Sequence, residues 1–314
     1  MATQTTTHTL YENHTDGPIE LVFYPNSHTY KIDGDKKIGV TTITGILDKP
    51  ALMFWTVGEA AKFLSKSIDD EVLSLPKDEA KQRIEELIEE SKKAYTKTQE
   101  RGRDVGNEAH EWAEKFFLFL RDGGEEPALP EKVKVPHRGK AKDKLTIAEA
   151  DERERAEQDN NIIAALEQMK TWAYDKQIEV IAVEKLLYSR KYDYCGTVDL
   201  IFRMDGKLYI ADVKTTNPSW EYPQGVYPEM FAQIGGYDVA YTEEFPDEQI
   251  DGHAVLSVSK KTGKFNTVYS FDTEINRKWF IHLAAAKRGM QHHVRNLSMK
   301  YKENRAKLRK GGNK

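Results

Sequence analysis

The sequence predicts an α/β fold in which one mixed β-sheet carries helices on its faces. Three observations lead there. Strand-like runs recur at "IELVFYPNSHTYKIDGDKKIGV", "IEVIAVEKLLYS", "GTVDLIFRMDGKLYIADVKTT" and "HAVLSVSKKTGKFNTVYSF". Between them lie segments with apolar residues at helical spacing, above all "VGNEAHEWAEKFFLFLRDGG". Asp205-Gly206, between two runs rich in Val, Ile, Leu, Phe and Tyr, is the pattern of a two-residue type I′ hairpin turn, which needs positive φ at both positions.

From the N-terminus, apolar and polar residues alternate around Asp33-Gly34, predicting a hairpin followed by a short helix start. A helix is expected from about Ala51 to Lys66, including Phe54 and Trp55, and then the acidic helix "KDEAKQRIEELIEESKKAY" with a narrow apolar stripe. The next helix is apolar on one side through Val105, Ala109, Trp112, Ala113, Phe116, Phe117 and Leu120, and it ends at glycines. From Glu125 to Asn160 prolines accompany a basic run, "HRGKAKDK", and an acidic one, "EADERERAEQD". With few apolar residues, this stretch reads as an insertion, a mobile loop or a peripheral helix outside the core.

Order returns with the amphipathic "NIIAALEQMKTWAYDKQ", and after the strands a helix is expected at "PEMFAQIGGYDVAYTEEF". A long helix from about Thr273 closes the fold. One domain spans residues 1–300, and the C-terminus carries a basic patch, Lys300, Lys302, Arg305, Lys307, Arg309, Lys310 and Lys314 against Glu303, whose 301–314 part reads as a disordered tail able to steer a polyanion.

The Asp205-Gly206 turn sets the register of its two strands. Phe202 then faces Tyr209, Ile201 faces Ile210, and Asp199 lies opposite Asp212. Like charges opposite one another destabilise a sheet, so the pair calls for a cation. Alternation puts Lys214 on the face of Asp212 and Val213 on the other. Acid-x-Lys is common in a chain with 31% charged residues, as at Asp35-Lys36-Lys37 or Glu90-Ser91-Lys92, but those acids lie in polar stretches. Asp212 interrupts an apolar strand. Carboxylates gathered without thiolates suit hard cations, Mg²⁺ or Mn²⁺, which bridge to phosphate oxygens.

Glu184 breaks the apolar run of the preceding strand and could supply a third carboxylate. Gln233 and Tyr237, four apart on a helix, share a face and could bind phosphate or sugar beside the metal. Gly235 and Gly236 between them are poor helix formers, which close approach to a neighbouring backbone would explain. His110 becomes a metal ligand if its helix packs over the hairpin.

Composition bounds the rest. The chain of 314 residues is long enough to bury a sizeable core. Mean hydropathy of −0.69, no apolar run of membrane length and no secretory signal make a cytoplasmic location, away from the membrane, the expectation. A single cysteine, Cys195, excludes an internal disulfide and any four-cysteine zinc or iron–sulfur site. No phosphate-binding loop of the G-x-x-x-x-G-K-[ST] type is present, and a net charge of −4 argues against a general nucleic-acid coat protein.

His110 in "VGNEAHEWAEKFF", Glu184 in "IAVEKLLYS", Asp199 in "GTVD", Asp212 and Lys214 in "ADVKTT", and Gln233 and Tyr237 in "QIGGY" together resemble the PD-(D/E)XK nuclease superfamily. The resemblance is nearest to its RecB-like branch of stand-alone phage and mitochondrial genome maintenance exonucleases. "HTYKIDGDKKIGVTTITGIL" also resembles the N-terminal hairpin of such members, and the whole likeness runs from about His28 to Tyr241. Val198 stands where the superfamily's name has proline, as in many RecB-like members.

The resemblance implies a restriction-endonuclease-like core and metal-dependent DNA cleavage. Asp199, Asp212, the Val213 carbonyl and His110 would hold one or two Mg²⁺ or Mn²⁺ ions, with Glu184 completing the acidic cluster. Lys214 would orient the attacking water or neutralise charge, and Gln233 and Tyr237 would position the strand. Trp220 and Tyr222 could stack on unpaired bases, or pin their loop. An exonuclease acting on single-stranded or frayed ends, in DNA repair, recombination or replication and alongside a protein of those processes, is the expectation. In a phage it would work in the host cytoplasm. A structure-specific endonuclease and a non-catalytic binding module of the same fold are the alternatives.

Overall fold

The computed structural model describes the backbone of residues 5–47, 50–141 and 144–311. The side chains of Trp55 and Val105, both placed in helices above, lie outside the described residues.

The chain opens with an antiparallel meander, β1 (Thr6–Leu10), β2 (Ile19–Tyr24), β3 (Thr29–Ile32) and β4 (Asp35–Gly39). Asp33 and Gly34 take φ of 52° and 81°, so the turn between the last two strands forms where the sequence places it. Helices α1 (Val40–Thr44), α2 (Pro50–Ser67), α3 (Asp70–Leu73), α4 (Lys77–Ser91) and α5 (Ala94–Asp122) follow. Ala109, Trp112, Ala113, Phe116 and Phe117 of α5 are buried, as their spacing predicts.

Of the readings open for the charged stretch, its second half takes the helical one. After an irregular segment pinned by a bond from Trp112 Nε1 to the Ala128 carbonyl (3.0 Å), α6 (Ile147–Asp175) begins at a capping box between Thr146 and Glu149. The acidic run is thus the first half of a long helix. Glu and Arg favour helix, and Arg153 pairs with Glu157 one turn on at 3.0 Å.

The strands β5 (Glu179–Ser189), β6 (Tyr194–Met204) and β7 (Lys207–Thr216) lead into α7 (Pro228–Glu244), β8 (Gly252–Ser259), β9 (Phe265–Ser270) and α8 (Thr273–Gly311). The tail expected to be disordered is therefore helical as far as Gly311. No proline or glycine interrupts the chain between Met290 and Lys310, so nothing stops the helix.

All nine strands join one mixed sheet, in the order β1-β2-β3-β4-β6-β7-β8-β9 with β5 on the other edge of β6. Helices α5 and α6 pack on one face against Leu200, Phe202, Tyr209 and Val213. Helices α1, α7 and α8 cover the other against Val198, Ile201 and Ile210.

Strand β6 organises the sheet. Along one edge it pairs with β5, while the opposite edge is shared by β4 at Tyr194 and Cys195 and by β7 at Leu200 to Met204. Between those two partners, at Gly196 to Asp199, the shared edge is open. Val198 and Ile201 lie on the same face, so the alternation of β6 slips by one residue across this opening.

Candidate active site

Asp199 sits at the lip of the opening. The turn at Asp205-Gly206 has φ of 52° and 74°, and Phe202 faces Tyr209 in the expected register. The ladder ends one pair short of that expectation, at Leu200 and Ala211, so Asp199 and Asp212 are not a ladder pair. Asp199 Oδ2 instead accepts from the Val213 amide at 2.7 Å, taking an N–H that a continuing ladder would have used. Because N–H and C=O of one strand residue point to the same edge, the Val213 carbonyl also faces the opening.

Asp212 is 1% exposed. Gln233 Nε2 donates to its Oδ1 at 3.0 Å and to the Tyr237 hydroxyl at 2.8 Å. Its Oδ2 forms an ion pair with the Lys214 ammonium, yet is buried without a well-formed hydrogen bond. Burial pushes the Asp212 carboxyl up to about 6, with Lys214 opposing the shift and Asp199 adding to it. Burial works against the Lys214 charge, but Asp212, Asp199 and Glu184 outweigh it, and its pKa is raised. Lys214 therefore stays protonated at neutral pH.

The neighbours of Glu184 pair as Val183 with Leu200 and Lys185 with Val198, which brackets it opposite Asp199. Its φ of 47° is rare for a residue with a side chain and marks local distortion. The residue as a whole is exposed, while its carboxyl is raised to about 8 by burial, by Asp199, and by Glu114 and Asp212. Lys214 opposes the shift without cancelling it.

His110 Nδ1 lies 3.7 Å from Asp199 Oδ2, so α5 does pack over the hairpin. Helix α5 belongs to one face of the sheet and α7 to the other, so His110 meets Asp199 from one helix while Gln233 meets Asp212 from the other.

Gln233 and Tyr237 thus lie against Asp212, with Tyr237 3% exposed. Trp220 is 99% exposed and pins nothing, whereas Tyr222 packs against Tyr227 with ring centroids 4.8 Å apart. Two parts of the site escaped the sequence reading. Glu114 stands one turn beyond His110, a spacing that could have flagged it. Tyr30 bonds Thr197 Oγ1 and His28 Nε2, each at 3.0 Å, bringing the N-terminal meander to within two residues of Asp199. No local signal ties Tyr30 to that strand.

The donor set fits a hard divalent cation: two carboxylates, one of them buried beside Lys214, a main-chain carbonyl and an imidazole. Among the described residues no three His, Cys, Asp or Glu side chains converge as a ready-made cage. The fit consequently includes the main-chain oxygen of Val213.

Residues 80–305 match the family model of the PD-(D/E)XK nuclease superfamily. That span covers most of the chain, including His110, Glu184, Asp199, Asp212, Lys214, Gln233 and Tyr237, so the chain belongs to the PD-(D/E)XK nuclease superfamily. The mixed sheet flanked by helices is the restriction-endonuclease-like fold that the sequence predicts. No curated protein matches the chain. Among solved structures, one described as "Crystal structure of SSO0001" is 13% identical, with the alignment covering 40% of this chain and 59% of that one at a TM-score of 0.24. A likeness so thin has no bearing on function.

Proposed function

We propose that the chain is a divalent-metal-dependent DNA exonuclease of RecB-like type that hydrolyses phosphodiesters at single-stranded or frayed ends, in repair, recombination or replication. The observation that carries this reading is the cluster of Asp199, Asp212 and Lys214 at the opening of the sheet, with His110 and the Val213 carbonyl facing it.

A cation held by Asp199, Asp212, Val213 and His110 would lower the pKa of a bound water and offset the charge gathered on the phosphorus. The protein's own groups do the rest. Gln233, steadied by Tyr237, fixes the orientation of Asp212. Lys214, protonated, orients the water or stabilises the extra negative charge, and a raised pKa disfavours its use as a base. Glu184, raised to about 8, can hold a proton near neutral pH. Trp220, standing in solvent, offers a face for an unpaired base.

The test is digestion of end-labelled linear and circular DNA, single- and double-stranded, with Mg²⁺ or Mn²⁺, by wild type and Lys214→Ala. Loss of linear single strands with circles spared, dependent on metal and on Lys214, is the expected result. Cleavage of circles would favour an endonuclease, and binding without cleavage a non-catalytic module.

A further inference from the structure

The distribution of charge sets the C-terminal helix apart from the rest of the molecule. Residues 275–314 hold 12 Lys and Arg against 1 Glu, while residues 1–274 hold 35 against 50 Asp and Glu, so +11 stands against −15. A body this acidic repels a polyanion, and a nuclease built on it needs a cationic contact elsewhere.

Helix α8 is well placed to supply one. Its first part is rooted in the core through Asn276, Phe280, Leu283 and Ala284. It crosses α7 so closely that a Cβ on Gly235 would come within 2.4 Å of the Asn276 backbone. Beyond Ala284 every described residue through Lys302 is exposed or half-buried. The arm therefore leaves the core as a helix of fixed origin.

Its cations are ordered. Arg288, Arg295 and Lys302 recur every seven residues, which at 3.6 residues per turn keeps them in one stripe about 10 Å apart along the axis. All three are exposed; Arg288 is near enough to Asp193 to help hold its carboxyl down, while no close salt bridge joins any of the three to a described residue. One strand of DNA presents a phosphate about every 3.4 Å of axis, so the stripe meets roughly every third phosphate. A second stripe, Met290, Val294, Leu297 and Tyr301, is 55 to 67% exposed and continues the face that Leu283 buries.

We propose that the α8 arm is a second nucleic-acid contact, separate from the cleavage site, in which the Arg288–Arg295–Lys302 stripe binds the sugar–phosphate backbone of the substrate. The inference rests on the nuclease reading above. Side-by-side pairing of two arms would bring like charges together. Docking of the arm on the acidic body of a second copy is the rival outcome.

The test is binding of a labelled 30-nucleotide DNA, single-stranded and duplex, in chelator, across a salt series. Wild type is compared with a triple variant (Arg288→Gln, Arg295→Gln, Lys302→Gln), a charge-keeping variant (Arg288→Lys, Arg295→Lys) and an apolar variant (Val294→Ser, Leu297→Ser). The triple variant should lose about tenfold or more in affinity at low salt, and its log–log salt slope should fall by about 2 to 3. The charge-keeping variant should hold the wild-type slope, which separates charge from folding. Unchanged affinity and slope in the triple variant would overturn the proposal. So would a fall in sedimenting mass in the triple or the apolar variant together with wild-type DNA binding by the triple variant. If wild type cleaves DNA while the triple variant binds as wild type does, the arm alone is refuted. If wild type neither cleaves nor binds, the nuclease reading falls first.

Discussion

Asp199 accepts the Val213 amide at 2.7 Å across the place where β6 and β7 part, so a side chain continues a ladder that the backbone has abandoned. The bond aims the carboxylate into the opening and leaves its other oxygen available. Asp199→Asn keeps an oxygen to accept the Val213 amide but loses the charge that a divalent cation needs. It should fold with near-wild-type melting while cleavage in Mg²⁺ falls by about 10²-fold or more. Cleavage within tenfold of wild type would remove Asp199 from metal binding.

Gly235 and Gly236 set the distance between α7 and α8. A Cβ on Gly235 would meet the Asn276 backbone at 2.4 Å, and one on Gly236 the Phe280 ring at 2.6 Å. Either Gly→Ala change should destabilise by about 1 to 3 kcal/mol, since neither a backbone nor a buried ring can move aside freely. Gly289 in the exposed part of α8 has nothing within 4 Å, so Gly289→Ala should stabilise by up to about 1 kcal/mol. Thermal melts of the three variants check the contrast. A Gly235→Ala protein that melts with wild type would mean that the helices pack less closely.

Much of this was legible in the sequence, because local chemistry fixed it. Asp205-Gly206 set a register that the strands keep, and the paired glycines announced a close approach that α7 and α8 make. The opening beside Asp199 was not legible, since it arises where β4 and β7 share one edge of β6, a contact between segments far apart in the chain. The same holds for Tyr30 and Thr197, which meet across 167 positions. Between 125 and 160, low apolar content left an insertion, a mobile loop and a peripheral helix all open, and from Ile147 a helix that Glu and Arg sustain is what forms.

Trp220 separates substrate affinity from stability. At 99% exposure it contributes nothing to packing, so Trp220→Ala should leave melting unchanged. If the ring stacks on an unpaired base, affinity for a single-stranded oligonucleotide should fall by about 1 to 3 kcal/mol, with a smaller effect on blunt duplex. Equal loss on both substrates, or none, would take Trp220 out of base stacking.

The acid cluster also makes a prediction about pH. Glu184 is raised to about 8 and Asp212 to about 6, above their ordinary values of 4.5 and 3.8. Between the ordinary and the raised values the folded protein holds more protons than the unfolded chain, so stability falls as pH rises through that window. Metal-free protein should therefore lose melting temperature from pH 5 to pH 8, and Glu184→Gln should flatten the loss. On the proposed metal site, Mg²⁺ would bind only the folded cluster and compete with its protons, so the stabilisation it gives should grow over the same range. Melting curves with and without Mg²⁺ at each pH test both parts. A Mg²⁺ effect that shrinks toward pH 8 would mean the cation binds away from these carboxylates.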